Sequence, residues 1–143
     1  MENKIEHLKM IQAIISRMSG SLFYLKGWAI TLFAGLLSIV AKDTNKELIY
    51  LSFFPIVIFW ILDGYFLAEE RKFRALYDDV RKLPEEKIDF SMDTREYKKL
   101  AYCTWSNAFF SPTLKVFYGL QIVFLVSAIT VINKEVITFI CKI

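Results

Sequence analysis

The feature that most constrains this chain is an apolar stretch that passes directly into a charged segment. Residues Leu48 to Ala68 form a run of 21 residues in which Asp63 is the single charged residue. As a helix, such a run is long enough to cross the roughly 30 Å hydrocarbon core of a bilayer. A carboxylate inside a span costs about 2.5 to 3.5 kcal/mol on insertion scales and usually has a partner or a function. The sequence therefore predicts a membrane span that carries one paired or functional acid.

Composition agrees with a one-domain membrane protein. The 143 residues are 55% hydrophobic and 16% aromatic, with a mean hydropathy of +0.39, and the apolar residues occur in blocks. No short apolar core followed by a small-residue cleavage site is present. His7 is the single histidine, which excludes a His-based metal cluster or a Ser-His-Asp triad within one chain. Cys103 and Cys141 are predicted to lie on opposite sides of the membrane, unbonded.

Residues 1–21 are predicted to form an amphipathic helix. Its apolar residues alternate steps of three and four, the spacing of a helix–helix seam: Leu8, Ile11, Ile15, Met18, Leu22 and Leu25. Three uses of this seam remain open. It can pack on the chain's own helix beyond the second span, join two copies of the chain, or lie flat on lipid.

The first span is predicted over residues 22–41. Lys26 lies one turn inside it and can extend its ammonium to the interface. Small and hydroxyl-bearing residues recur along one side of this span, among them Thr31, Gly35 and Ser38. Close packing against another helix is the ordinary use of such a stripe. Lining a water-filled path is the alternative.

The second span is predicted over residues 47–68, after a short loop. Thr44 and Glu47 have capping-box spacing, and Pro55 predicts a kink. With antiparallel spans, Lys26 and Asp63 lie about five residues from the same membrane face. We therefore predict that they pair, within one subunit or between two.

Residues 69–112 are predicted to form a helical insertion between the second and third spans. The second helix continues to Pro84, with one apolar stripe and three i,i+4 pairs of opposite charge, Glu70–Arg74, Arg74–Asp78 and Asp78–Lys82. A short strand is considered for residues 88–92. Asp93 and Glu96 predict the start of another helix, from Thr94 to about Phe110.

The third span is predicted over residues 113–132, with Gln121 as its one strongly polar interior residue. Residues 133–143 are too short to cross back, so they either lie on the outer surface or extend the helix. The fold class is thus an all-α integral membrane protein with three transmembrane helices. Lysine and arginine number twelve in residues 1–21 and 69–113 but four in the short loop and the C-terminal tail. This bias predicts a cytoplasmic N-terminus and insertion and an outer C-terminus.

The insertion contains nine basic and nine acidic residues, which argues against a strong nucleic-acid footprint. A local ligand site for a nucleotide or oligonucleotide is considered, with bases stacking on aromatic rings; its candidates are Arg71, Arg74, Arg81, Lys82, Lys98, Lys99, Tyr97 and Trp105. Contact with anionic lipid headgroups is the other use of these cations. No motif predicts an enzyme, a cofactor or a metal site.

Two stretches resemble a family of small bacterial membrane proteins that accompany anti-phage defence genes, including nucleotidyltransferases. They are Glu6 to Leu32, EHLKMIQAIISRMSGSLFYLKGWAITL, and Phe59 to Arg81, FWILDGYFLAEERKFRALYDDVR. The plan is similar to the channel subunit of the Hailong system, which a product of its nucleotidyltransferase partner holds shut. The resemblance implies an inner-membrane effector that assembles as a ring, with a tetramer favoured, and conducts ions upon infection. The resemblance also implies that Lys26, Asp63 and the run EERKFR are functional residues.

Two classes of function are therefore expected. In the first, the chain is an oligomeric channel whose pore is lined by the stripe Thr31, Gly35, Ser38 or by the third span around Gln121. In the second, it is a non-conducting anchor that recruits a soluble partner.

Overall fold

The computed structural model describes residues 2–42 and 46–140; side chains are described for all of these except residues 42, 46–48 and 133–140. The described residues are helical or irregular, with no strand among them. Three helical segments are long and apolar enough to cross a membrane, Glu2–Ala41, Ile49–Val80 and Pro112–Ile132. The predicted all-helical class and the three candidate spans are confirmed at this level.

The first helix, α1, runs without interruption from Glu2 to Lys42. Its 41 residues extend about 60 Å at the ordinary rise per residue. The sequence separates an amphipathic helix at 1–21 from a span at 22–41, but the two are continuous. Gly20, next to Ser19 and Ser21, is a weak stop signal at the boundary, but no proline falls there and the helix continues through it.

The second helix, α2, spans Phe53–Val80 and follows a 3₁₀ segment at Lys46–Ser52. Pro55 therefore lies in the first turn of α2, where a backbone N–H has no intrahelical acceptor to lose. The predicted kink inside the second span is replaced by the change from 3₁₀ to α geometry before it. The predicted capping residue Thr44 lies outside the described residues.

The prediction of a single helix from Thr94 to Phe110 is wrong. The chain forms 3₁₀ turns at Arg95–Lys99 and Ala101–Cys103, and then α3 at Trp105–Phe109. Thr104 is extended and caps α3 by accepting a hydrogen bond from the Asn107 N–H, which starts a new helix. The strand considered for residues 88–92 does not form, and Phe90 has a φ of +55°.

The fourth helix, α4, runs from Pro112 to Ile140. It is longer than the predicted span of residues 113–132, because its backbone stays helical through the first part of the predicted tail. Of the two alternatives for that tail, extension of the helix is the one observed. Cys103 is a free, buried cysteine, and Cys141 lies outside the described residues.

Two apolar cores form along the antiparallel pair α1 and α2. The span core contains buried residues of α1, the 3₁₀ segment, α2 and α4: Ala29, Phe33, Val40, Ile49, Ile56, Leu114, Tyr118 and Leu125. The insertion core contains Ile11, Ile15, Leu76 and Val80. This second core confirms the first use considered for the N-terminal seam, packing on the chain's own second helix.

Candidate functional site at the junction of the two cores

A buried carboxylate lies between the span core and the insertion core. Asp63 of α2 is fully buried, and its Oδ2 accepts a 2.6 Å hydrogen bond from Lys26 Nζ of α1. Tyr118 of α4 donates a 3.0 Å hydrogen bond from its hydroxyl to the same oxygen. We call Lys26, Asp63 and Tyr118 the charge junction. The predicted pairing of Lys26 with Asp63 is present, within a single chain.

The charge junction connects all three long helices. Lys26 comes from α1, Asp63 from α2 and Tyr118 from α4, so a change at one of them acts on the packing of the other two. Only Lys26 reaches solvent-accessible space, with 21% of its side chain exposed. An ion pair removed from water gains strength from the low local dielectric, but only while both partners stay in place.

The two carboxylate oxygens of Asp63 differ in their hydrogen bonds. Oδ1 is buried and has no hydrogen-bond partner among the described residues. A buried acceptor that lacks a donor costs about 1 to 3 kcal/mol. Within the described residues, the carboxylate is therefore compensated through Oδ2 alone.

Aromatic rings tie the insertion to the charge junction. The Trp60 ring stacks on Phe109 of α3, with centroids 4.8 Å apart and planes 9° apart, and on Tyr118, with centroids 5.6 Å apart. Trp60 Nε1 also donates a 3.0 Å hydrogen bond to the Phe109 carbonyl. Phe109 of α3 is thus connected through Trp60 to Tyr118, whose hydroxyl hydrogen-bonds Asp63.

Gly64 explains how α3 approaches so closely. A Cβ at this position would lie 3.2 Å from the Phe109 Cα, tighter than an ordinary contact. Because Gly64 is adjacent to Asp63 in the chain, the contact places α3 directly beside the buried carboxylate. A side chain here would push the insertion away from α2.

The small-residue stripe of α1 faces outward. Thr31, Gly35 and Ser38 are exposed, and a Cβ on Gly35 would have open space around it. The two hydroxyls donate to the Gly27 and Ala34 carbonyls of their own helix. The stripe is therefore not used for packing within the chain, and its hydroxyl protons are already satisfied.

Gln121 lies elsewhere. Its side chain is buried inside the chain, and neither amide atom has a hydrogen-bond partner among the described residues. The structure thus separates the two predicted pore-lining sets, since one faces outward and the other inward. Which of them lines a pore stays a prediction.

Three of the six predicted cationic ligand residues pair with carboxylates of α2. Arg74 pairs with Glu70 at 2.6 Å, Arg81 with Asp78 at 3.4 Å, and Lys82 with Asp79 at 3.3 Å. Of the three predicted i,i+4 pairs, the Glu70–Arg74 pair forms, whereas Asp78 pairs three residues away with Arg81. The three cations are exposed, whereas Glu70 is buried, and the pairs do not form one cluster.

The remaining predicted ligand residues are dispersed. Tyr97 packs on the insertion core, and burial together with the Asp79 carboxylate raises its pKa to about 12. Trp105 donates from Nε1 to the Ile61 carbonyl at 3.3 Å. Lys98 and Lys99 are exposed in the 3₁₀ turn at Arg95–Lys99. Arg71 instead donates to two neutral acceptors, the Tyr102 carbonyl and Asn107 Oδ1.

Sequence reasoning found Lys26 and Asp63 but missed Tyr118, Trp60, Phe109 and Gly64. A signal for Tyr118 was present, since its hydroxyl lies six residues into a candidate span, the same depth from the span end as Asp63. Trp60 and Phe109 carry no comparable signal, because ring stacking across 49 residues of chain depends on the tertiary fold.

The described residues contain no group of three or more histidine, cysteine, aspartate or glutamate side chains arranged to hold a metal. Comparison of the chain with protein-family models, with characterised proteins and with solved structures gave no match.

Proposed function

We propose that this chain is an oligomeric membrane effector of bacterial anti-phage defence. It acts as a gated ion channel that disrupts the membrane potential when a cytoplasmic nucleotide or oligonucleotide signal changes. Loss of the potential aborts the infection. The resemblance of residues 6–32 and 59–81 to defence-associated membrane proteins supports the biological setting.

The observation that carries this proposal is the charge junction between two cores on shared, uninterrupted helices. Helices α1 and α2 each contribute to both the span core and the insertion core. A ligand that moves the insertion acts on Phe109, Trp60 and Tyr118, and hence on the Lys26–Asp63 ion pair beside the span core. This is a physical route from a cytoplasmic signal to the membrane part.

Conduction requires several copies of the chain, because three spans per chain do not easily enclose a pore. The outward stripe of α1 supports self-association, since small residues let transmembrane helices approach closely. A homotetramer is the favoured assembly. The partners are thus the lipid bilayer, further copies of the chain, and a nucleotidyltransferase or its product.

The topology follows from the distribution of basic residues. The N-terminus and residues 69–112 are cytoplasmic, the C-terminus is outside, and the chain lies in the bacterial inner membrane. The protein is not an enzyme in this proposal.

One observation favours the alternative, a non-conducting anchor that recruits a soluble partner. The Thr31 and Ser38 hydroxyls are bonded to their own helix, so the stripe can face lipid without an unsatisfied donor. An anchor needs no more than this. Its paired charges at Lys26 and Asp63 would then serve stability alone.

Membrane potential in bacteria separates the two. The chain is expressed alone and with its neighbouring genes, as wild type, as Asp63→Asn, and as Glu86→Gln, a control that removes an exposed carboxylate of the insertion. We expect wild type to depolarise cells, the neighbours to suppress this, and Asp63→Asn alone to alter the response. A steady potential in every strain, including under phage challenge, would leave the anchor.

A further inference from the structure

A cavity of about 630 Å³ lies where the insertion meets the start of α4. It is lined by Arg71 of α2 and by residues on either side of α3, including Asn107, Phe110, Ser111 and Pro112. Pro112 is also the first residue of the third candidate span. On the predicted topology, the cavity therefore lies at the level where α4 enters the membrane.

Arg71 presents an oriented and uncompensated positive charge to this cavity. Its Nη1 donates to the Tyr102 carbonyl at 2.8 Å and to Asn107 Oδ1 at 2.9 Å, two neutral acceptors. The adjacent Lys72, in contrast, contacts the Glu69 carboxylate at 2.6 Å. Arg71 has no carboxylate partner in the part of the chain that the structure describes, so its charge is available to an anion.

Further donors lie around the cavity, beside acceptors such as Thr104 Oγ1. Ser111 is 5% exposed, and its hydroxyl has no hydrogen-bond partner among the described residues. The first N–H groups of α4, which follow Ser111, have no intrahelical acceptor and form the positive end of a 29-residue helix. The Asn107 side-chain oxygen already accepts from Arg71, which leaves its NH₂ group to donate. The buried Ser111 hydroxyl thus adds an unpaired donor to the lining of the cavity.

We propose that this cavity binds the phosphate of an anionic phospholipid headgroup. Arginine suits a phosphodiester because its planar donors match two phosphate oxygens. Phe110 and Trp105, exposed by 57% and 44%, are placed as interfacial aromatic residues. Lys115 lies one turn into α4, with its ammonium 5.5 Å from the Phe110 ring centroid, and adds attraction to an anionic leaflet.

The depth of the cavity selects a lipid over a soluble phosphate. A headgroup reaches this level with its acyl chains in the bilayer, along the apolar wall formed by Phe110 and Pro112. This binding goes beyond the proposed function, because it does not depend on conduction. A failed channel assay therefore says nothing about lipid binding. Likewise, a failed lipid-binding assay says nothing about conduction.

Native mass spectrometry of the purified full chain in nanodiscs tests the assignment. The lipids are phosphatidylglycerol and phosphatidylcholine with the same acyl chains, and a dinucleotide supplies the soluble phosphodiester. The variants are Arg71→Gln, Ser111→Ala and Lys87→Gln. The last is a matched charge control, since Lys87 is exposed on the insertion and does not line the cavity.

We expect wild type and Lys87→Gln to retain phosphatidylglycerol over phosphatidylcholine. Arg71→Gln should lower that retention about tenfold, because a charged bond is lost, and Ser111→Ala about threefold. Ser111→Ala removes no bond from the fold, so it decides the matter if Arg71→Gln does not fold. Equal retention of both lipids by wild type, or unchanged retention by folded variants, would overturn the proposal. Displacement of the lipid by the dinucleotide would assign the cavity to a soluble phosphodiester instead.

Discussion

The two cores of this chain are built on the same pair of helices but treat charge in opposite ways. In the insertion core, aliphatic residues pack inward, and the Asp78–Arg81 and Asp79–Lys82 ion pairs at the end of α2 are exposed. Beside the span core, one carboxylate is fully buried and depends on a lysine and a tyrosine from two other helices. Packing therefore stabilises the insertion core, whereas the region of the charge junction also depends on compensation of the Asp63 charge.

The largest loss of stability is expected when the charge of Asp63 is removed and Lys26 is left unpaired. Asp63→Ala leaves Lys26 without its partner in a mostly buried position and should lower the free energy of unfolding by about 4 kcal/mol. The double variant Lys26→Leu, Asp63→Leu removes both charges and should recover much of the loss. Thermal unfolding in detergent measures both. Equal stability of Asp63→Ala and wild type would refute the contrast between the cores.

Loss of packing in the insertion core should have the next largest effect. Ile11 is fully buried there, and Ile11→Ala should cost about 3 kcal/mol of stability by leaving a cavity. Ile5→Ala, on an exposed position of the same helix, is the control and should change little. The same thermal assay applies. If the two variants behave alike, the insertion core does not stabilise the fold as described.

Loss of the Tyr118 hydroxyl should lower stability less than loss of the Lys26–Asp63 ion pair. Tyr118→Phe keeps the ring that stacks on Trp60 but removes the donor to Asp63 Oδ2, and should cost about 2 kcal/mol. Tyr65→Phe is the matched control, because Tyr65 is half exposed on α2. A loss no larger than that of the control would mean that Lys26 alone compensates Asp63.

The smallest effect concerns exposed charge in the insertion. Hydrogen bonds from the Arg95 side chain and N–H lower the pKa of Asp93 to about 2. Because the folded pKa is depressed, the associated stability is present above the ordinary value of 3.8 and is lost as pH falls through about 2. In Arg95→Ala, the NMR titration midpoint of Asp93 should return toward 3.8, with no measurable change in unfolding temperature at neutral pH. An unshifted midpoint would remove Arg95 as the cause.

The sequence predicts the long elements well because length, apolar runs and charge placement are local properties. It yields the three candidate spans, the seam partners of Ile11 and Ile15, and the pairing of Lys26 with Asp63. It fails from Thr94 to Phe110, where a helical pattern is divided by the cap at Thr104. There Arg71 and Trp60 hold the chain through bonds to the carbonyls of Tyr102 and Phe109, and such tertiary bonds leave no periodic signal.

The candidate site shows the same limit. Asp63 stands out because a charge interrupts an apolar run. Tyr118 offers only its depth in the third candidate span, which does not specify a hydrogen bond to Asp63 across 55 residues. In the sequence, charge is the property that identifies the candidate ligand cations. The structure separates Arg71, which has neutral partners, from Arg74, Arg81 and Lys82, which have carboxylates.

Ion flux across liposomes that contain the purified chain tests whether the chain conducts. We expect wild type to change the signal of a trapped ion-sensitive dye without any partner protein, and Asp63→Asn to alter this flux while Glu86→Gln does not. Protein that is folded and inserted, yet gives no flux above empty liposomes in all three forms, would contradict the claim that the chain conducts.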